Sequence, residues 1–529
     1  MKKILLLVVL AASMFMTSCY DDKGNYDYTP VEEVDLQTIV DEVVFTTAQM
    51  NIDYFIEVPI PSDIEELYDF HWEYVPDDAD AELIGKVCDG ADLSFVPRLM
   101  GDIEMYFVAT HKEMKTEYYV SQTITVAAAC SKGWLLLGVS GGQTTLSFAE
   151  PASAASSSVA KTWTTYNNFV TGLNSDYNSL VMQYGEYTAS ATSNTSSDDV
   201  ALWISSPSEA SAYSNESYEL RSTLADNRSG VVGDDNIANW KDMLPMTSCT
   251  FLLEESGNLY MKYGNTMYGY YSDKPLEYND VPFETEMMLY ADYKFMPYSK
   301  YSGLNYLTVI GKDGSLKLVS TAATSYSTAA TAGTMYDFAG ATDINGTTLD
   351  EIPNISGYEA LGGICYLTEE AEGNWYDAHT INIILKDGSD YSMASFIGYG
   401  YNMKMTQFQI IPLNNSGGYL TGDKMKFVTA TSNDGAYSYF ASGSDLCIIN
   451  TLGEIIKIYT ADGEIAAIDM NPQRTEVGMA LTNGELVILN VEAIASPTIV
   501  HQMQYDVDSF VDMEYKYINL DDAWDAISD

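Results

Sequence analysis

Two hydrophobic patterns divide the chain. Between residues 30 and 128, apolar and polar residues alternate over Asp53–Val58, Asp69–Tyr74, Glu104–Ala109 and Tyr118–Val126. Alternation sends successive side chains to opposite faces of a strand, so this region is predicted to be a small antiparallel β-sandwich. Trp72, in a central strand, is its expected core aromatic. From Ser131 the pattern changes to repeated hairpins. The first runs from Gly133 through Gly141-Gly142 to Phe148. Later turns are expected at Ser256-Gly257, Asp313-Gly314, Asp387-Gly388, Asp434-Gly435, Asp462-Gly463 and Asn483-Gly484. Asp-Gly and Asn-Gly between apolar runs are strong hairpin signals. About 400 residues of such hairpins, almost without helical periodicity, predict a β-propeller. Seven blades of about 57 residues would consume the tract, and six or eight also fit. Hairpin-poor stretches at 151–177, 206–247, 265–303, 321–359 and 397–424 are expected to be long loops, a length that usually marks function.

The first residues set an address. Met1-Lys2-Lys3 is a basic start and Ile4–Phe15 is apolar but short for a membrane span, the layout of a secretory signal peptide. It ends in Met16-Thr17-Ser18-Cys19, which resembles a bacterial lipobox, with Met16 where Leu is usual. Cys19 is then the lipid attachment site, and acyl chains anchor the protein without a transmembrane helix. The acidic pair Asp21-Asp22 reads as a surface-export signal, or as an ordinary solvated tether. The domains are expected as signal peptide 1–18, lipidated acidic tether 19–29, sandwich 30–128 and propeller-like domain 129–529.

Charge narrows the partners. With 25 Lys+Arg against 75 Asp+Glu, the net charge of −50 repels phosphate backbones, so nucleic acid is excluded as a partner. The histidines, His71, His111, His379 and His501, are scattered, and no HExxH or CxxC spacing occurs. No metal site or cofactor is therefore expected. Structural calcium stays open but unindicated, since Asp77–Glu82 lacks the central Gly and fixed ligand spacing of a calcium loop. The cysteines after Cys19 are five and far apart; they read as small buried apolar residues, with a Cys88–Cys130 bridge left open. Gly138-Val139-Ser140-Gly141-Gly142 matches a nucleophile elbow in letters, but the strand pattern after it favours a hairpin turn over a catalytic serine. Carboxylate pairs abound without a spacing that singles one out, so no catalytic residue is assigned.

The aromatic excess is more informative. There are 41 tyrosines against 17 phenylalanines, densest between Tyr260 and Tyr306. Strand tyrosines such as Tyr260 and Tyr263 are expected to pack sheet faces. Trp240, Trp375, Tyr376, Tyr399 and Tyr401 sit beside turn residues and are the candidate ligand-binding set, since such rings stack on sugars or peptide side chains. The 24 methionines are read mainly as core filling.

Three segments together carry a resemblance. Cys19-Tyr20-Asp21-Asp22-Lys23-Gly24-Asn25-Tyr26-Asp27-Tyr28, Trp72-Glu73-Tyr74 and Ser131-Lys132-Gly133-Trp134-Leu135-Leu136-Leu137 resemble the PKD-like family of Bacteroidota lipoproteins. The turn Gly138–Gly142 departs from it, since a charged turn is expected there. The resemblance implies an all-β chain with an N-terminal PKD/Ig-like sandwich and a propeller-like region. It also implies an outer-membrane lipoprotein facing the cell exterior, an accessory of a TonB-dependent importer and its lid lipoprotein, the starch-utilisation-type (SusC/SusD-type) pair. The ligand would be an oligosaccharide or oligopeptide, bound without catalysis. The alternatives are a propeller hydrolase or lyase of polysaccharide using channel carboxylates, and a pure scaffold of the importer complex.

Overall fold

The computed structural model describes residues 34–517 except 51, 75–84, 98–100, 128–129, 152–162, 184–186, 189–195, 198–200, 225–239, 246–248, 264–271, 273, 290–305, 322–332, 368–377, 400–401, 424, 433–434 and 472. The signal peptide, the tether and Cys19 lie outside the described residues, as does the acidic loop Asp77–Glu82. The chain forms two compact units, the first built mainly from residues up to Thr125 and the second mainly from Val126 onward. No described helix is long and apolar enough to cross a membrane.

In the N-terminal unit, alternation gives strands where expected: Tyr54–Ile56, Tyr68–Tyr74, Gly101–His111 and Glu117–Ala127. Tyr68–Tyr74 lies inside its sheet, between Gly101–His111 and Gly85–Asp89. Trp72 on it is fully buried, tilted against Phe107 with ring centroids 4.8 Å apart, and its indole N–H donates to Ala91 O at 2.7 Å. A buried indole needs such an acceptor. A short helix, Leu36–Asp41, is capped by Asp35, whose carboxylate accepts from Thr38 N, and buries Leu36, Ile39 and Val40.

The second unit holds, among the described residues, seven sheets of three to five strands. Sheet 1 is Gly133–Ser140, Gln143–Pro151 and Trp163–Leu173, completed by the C-terminal strand Ser509–Lys516. Sheet 2 is Ser179–Gln183, Ala201–Ser206, Glu209–Ser214 and Leu220–Thr223; sheet 3 is Trp240–Pro245, Cys249–Glu254 and Leu259–Tyr263. Sheet 4 is Thr285–Leu289, Tyr306–Gly311, Leu316–Ser320 and Met335–Tyr336. Sheet 5 is Glu359–Leu367, Ala378–Asp387, Asp390–Tyr399 and Lys404–Pro412, edged by the parallel strand Gly340–Asp343. Sheet 6 is Phe427–Ser432, Gly435–Ser442, Asp445–Ile449 and Ile455–Thr460; sheet 7 is Ile465–Met470, Glu476–Leu481, Glu485–Asn490 and Thr498–Gln504. The architecture is all-β and propeller-like.

The core is a chain of layers between neighbouring sheets. Trp203 and Ala212 meet Met243 and Leu252 between sheets 2 and 3, and Phe251 meets Leu307 and Val309 between sheets 3 and 4. Leu318 meets Ile383 and Phe396 between sheets 4 and 5, and Ile384 meets Phe440 and Cys447 between sheets 5 and 6. Tyr439 and Leu446 meet Val477 and Met479 between sheets 6 and 7, and Leu136 joins Leu180 and Leu486 around sheets 7, 1 and 2. A sheet covered on both faces needs continuous rather than alternating apolar sequence. Ala201–Ser206, Cys249–Glu254 and Glu476–Leu481 are accordingly buried at every position.

The turns at Gly141-Gly142, Gly257, Gly314, Gly388 and Gly484 join paired strands of one sheet, as expected. Gly141 and Gly142 both have positive φ, 57° and 78°, so Ser140 sits in a tight hairpin rather than on a nucleophile elbow. Asp462-Gly463 is a correction, because it links sheet 6 to sheet 7 and closes no hairpin. The expected long loops are a second correction. They contain Trp163–Leu173, Glu209–Ser214, Leu220–Thr223, Trp240–Pro245, Thr285–Leu289, Gly340–Asp343 and Lys404–Pro412. Outer strands such as Trp163–Leu173 and Leu220–Thr223 are largely exposed or half-buried, so their polar residues hide the strand pattern, whereas Glu209–Ser214 lies inside sheet 2 and hides it with small residues. Cys88 and Cys130 are both free thiols.

Close packing leaves a test at Gly478. A Cβ there would lie 2.6 Å from the Trp134 ring and 2.5 Å from Met513 Cε. Gly478→Ala is expected to destabilise the fold by about 1–3 kcal/mol in urea unfolding. Gly340→Ala, with open space around the new methyl, should leave the midpoint nearly unchanged.

Candidate functional site

The first strands of sheets 2, 3, 4, 6 and 7, the strand Glu359–Leu367 of sheet 5 and the C-terminal strand surround one cavity of ≈ 520 Å³. Each is the inner edge of its sheet, and an edge strand presents unpaired N–H and C=O groups. Here carboxylates from the neighbouring strand take up several of them. Asp469 Oδ2 of sheet 7 accepts from Tyr515 N at 2.6 Å. Asp512 Oδ2 and Glu514 Oε2 of the C-terminal strand accept from Leu180 N at 2.8 Å and Met182 N at 3.0 Å in sheet 2. The Asp469 and Glu514 side chains are almost wholly buried. Charge-assisted bonds of this kind are shorter and stronger than neutral ones.

Lysines extend the same bracing. Lys241 Nζ of sheet 3 donates to Glu286 O of sheet 4 at 2.7 Å and lies 3.4 Å from Glu286 Oε1. Lys426 Nζ, just before the first strand of sheet 6, lies 3.7 Å from Asp512 Oδ1. Asp242 differs from the other acids. It is reached by water from the cavity, yet the surrounding wall removes enough solvent to push its carboxyl up to about 6, against the opposing pull of the Met243 backbone N–H, Lys241 and Lys426. A carboxyl held there carries a proton for part of the time near neutral pH. Most of the rest of the wall is apolar, including Met287, Met288, Leu361 and Phe427.

A second buried ion lies on the C-terminal strand. Lys516 is fully buried; its ammonium donates to Asn215 O at 2.7 Å and to Tyr218 OH, and lies 4.5 Å from the Tyr218 ring centroid. Burial pushes it down to about 7.

The aromatic candidates fall elsewhere. Trp240 opens the inner strand that carries Lys241 and Asp242, and half-buried Tyr399 closes Asp390–Tyr399 in register with Lys404, so both stand on strands rather than loops. Trp375, Tyr376 and Tyr401 lie outside the described residues. Tyr260 is buried with Trp203 and Met243, the packing role expected of it. The channel acids were not singled out in the sequence, although Asp512 and Glu514 interrupt an apolar strand two positions apart, on one face. That is an unusual place for charge in a buried strand.

A profile of the PKD-like family matches residues 19–173, from Cys19 to the end of the third strand of sheet 1. No curated protein matches the sequence. Among solved structures, a quinonprotein alcohol dehydrogenase-like protein from Bacteroides thetaiotaomicron is 11% identical, with a TM-score of 0.43, covering 90% of this chain and 97% of that one. A dihydro-heme d1 dehydrogenase, NirN, is 11% identical with a TM-score of 0.36, covering 79% and 74%. The WD40 repeats of RRP9 are 7% identical with a TM-score of 0.36, covering 64% and 83%.

Two measurements test the channel. Asp469→Ala removes the carboxylate that accepts from Tyr515 N and is expected to cost about 1–3 kcal/mol in urea unfolding; Asp469→Asn, which keeps an acceptor, should cost less. The folded Asp242 carboxyl binds its proton more tightly than the unfolded one, so its ionisation removes stability as pH rises from about 4 through 6. The stability of Asp242→Asn relative to wild type should therefore increase across that window, and a flat difference would show an unshifted carboxyl.

Proposed function

We propose that the chain is a non-catalytic, surface-exposed outer-membrane lipoprotein. In this reading it is held by acyl chains on Cys19 and binds an oligosaccharide or oligopeptide for a TonB-dependent importer and its lid lipoprotein. The seven sheets are read as the seven blades of a closed propeller. The N-terminal five-stranded sheet and the pair Tyr54–Ile56 with Leu93–Phe95 are read as the two faces of a PKD-like sandwich. The observation that carries the non-catalytic reading is the occupation of the channel carboxylates. Asp469, Asp512 and Glu514 accept backbone N–H groups and so act as braces. The PKD-like match begins at Cys19, the residue this reading makes the lipid attachment site.

Asp242 favours a second reading, a polysaccharide hydrolase or lyase. A carboxyl pushed up to about 6 suits a general acid that protonates a leaving oxygen.

The test is capture of the full chain from the native outer membrane through a tag after Asp529. Co-recovery of a TonB-dependent channel and its lid lipoprotein is the expected result; recovery of the protein alone overturns the import role. Cys19→Ala should lose acyl labelling and membrane retention. Product release from a polysaccharide panel, abolished by Asp242→Asn, would replace binding by catalysis.

A further inference from the structure

A second cavity, of ≈ 210 Å³, lies between sheets 5 and 6, with Asn382, Ser395 and Gln409 on one wall and Ile449, Asn450 and Thr451 on the other. Across three adjacent strands, Asn382 stands opposite Ser395 and Ser395 opposite Gln409, so their side chains form one polar rung on a single face. The neighbouring rung on that face, Ile384, Met393 and Ile411, is apolar and packs against sheet 6 through the cluster that includes Phe440 and Cys447. An inter-sheet layer gains nothing in packing from a row of amides and hydroxyls, since each buried polar group without a partner costs free energy.

That cost is visible at Asn382. It is 7% exposed, and its Oδ1 has no hydrogen-bond partner. The third strand is also bent there. The ladder slips between Ser395 and Ile397, opposite Gln407, which holds a φ of 56° that a non-glycine residue seldom adopts. Bulges of this kind re-aim side chains, and Gln407 lines the cavity. Asn450, across the gap, is fixed by accepting from Leu452 N and Glu454 N. Among the described residues no charged side chain lines the cavity, in a chain whose residues are 19% charged.

We infer that this cleft between sheets 5 and 6 binds a single neutral sugar ring. Amides and hydroxyls both donate and accept, as sugar hydroxyls do, and Asn382 Oδ1 is a ready acceptor for one of them. The size admits one ring and not a chain, being below the roughly 300–1,000 Å³ of larger ligand pockets. Anionic sugars are disfavoured by a net charge of −50 and a wall without a cation. The cleft is distinct from the channel, and the inference does not depend on anchoring or on the importer.

The test uses the full mature chain, with glucose, galactose and mannose as probes and glucuronate and glycine as charged comparators, read by saturation-transfer NMR and calorimetry. At least one neutral hexose is expected to bind saturably in the millimolar range, with the charged probes weaker. Asn382→Leu should weaken binding by about tenfold or more while keeping a urea midpoint at or above wild type, because it replaces an orphaned polar group by an apolar one of similar size. Gln409→Ala, with a half-buried side chain, gives a second reading if Asn382→Leu fails to fold. Absence of saturable hexose binding, wild-type affinity in both variants, or glucuronate binding as tightly as glucose would each overturn the inference.

Discussion

The second unit depends on one pairing, that of its last strand with its first. Ser509–Lys516 runs antiparallel to Gly133–Ser140, with Lys516 opposite Gly133 and Ser509 opposite Val139. Gly141 N also donates to Asp508 Oδ2 at 2.8 Å across 367 positions of sequence. Without this strand, sheet 1 would lack its inner member, and the cluster around Trp134 would lose Phe510 and Met513. The loop entropy of so distant a contact is met only when the intervening sheets already stand in place, so closure rewards the whole ring at once.

The charges on that strand follow from its position. A strand at the inner edge of a ring leaves backbone N–H groups pointing at its neighbour with no strand to receive them. Asp512 and Glu514 accept from sheet 2, while Tyr515 N donates to Asp469 of sheet 7, so the closing strand is bonded on both sides of the ring. Lys516 and Asn215 add a further tie, since Lys516 Nζ donates to Asn215 O and Asn215 Nδ2 to Tyr517 O at 2.9 Å. Part of the chain's acidity therefore holds the interior together. Asp242 faces the same cavity, where burial pushes its carboxyl up against the opposing pull of Lys241 and Lys426.

Three elements show how much was legible in the chain. The hairpin at Gly141-Gly142 was readable because positive φ at consecutive residues demands glycine, a local requirement. Trp72 was readable because it stands in a run of alternating residues whose apolar face has only one place to go. Asp462-Gly463 misled, because the same dipeptide serves a turn within a sheet and a link between sheets, and local backbone geometry does not distinguish them.

The sequence by itself determined the strand-rich class, the turns that need glycine and the apolar runs that need cover on both faces, because these follow from backbone sterics and side-chain period. Which strands pair across the ring was decided only by tertiary structure, as was the use of Asp469, Asp512 and Glu514 as braces and the gathering of Asn382, Ser395 and Gln409 on one rung. The ring pairing and the braces depend on groups far apart in the chain, and a carboxylate has the same local signature whether it meets water or the open edge of a distant strand; the rung, on consecutive hairpin strands, needed the register of each turn to be fixed.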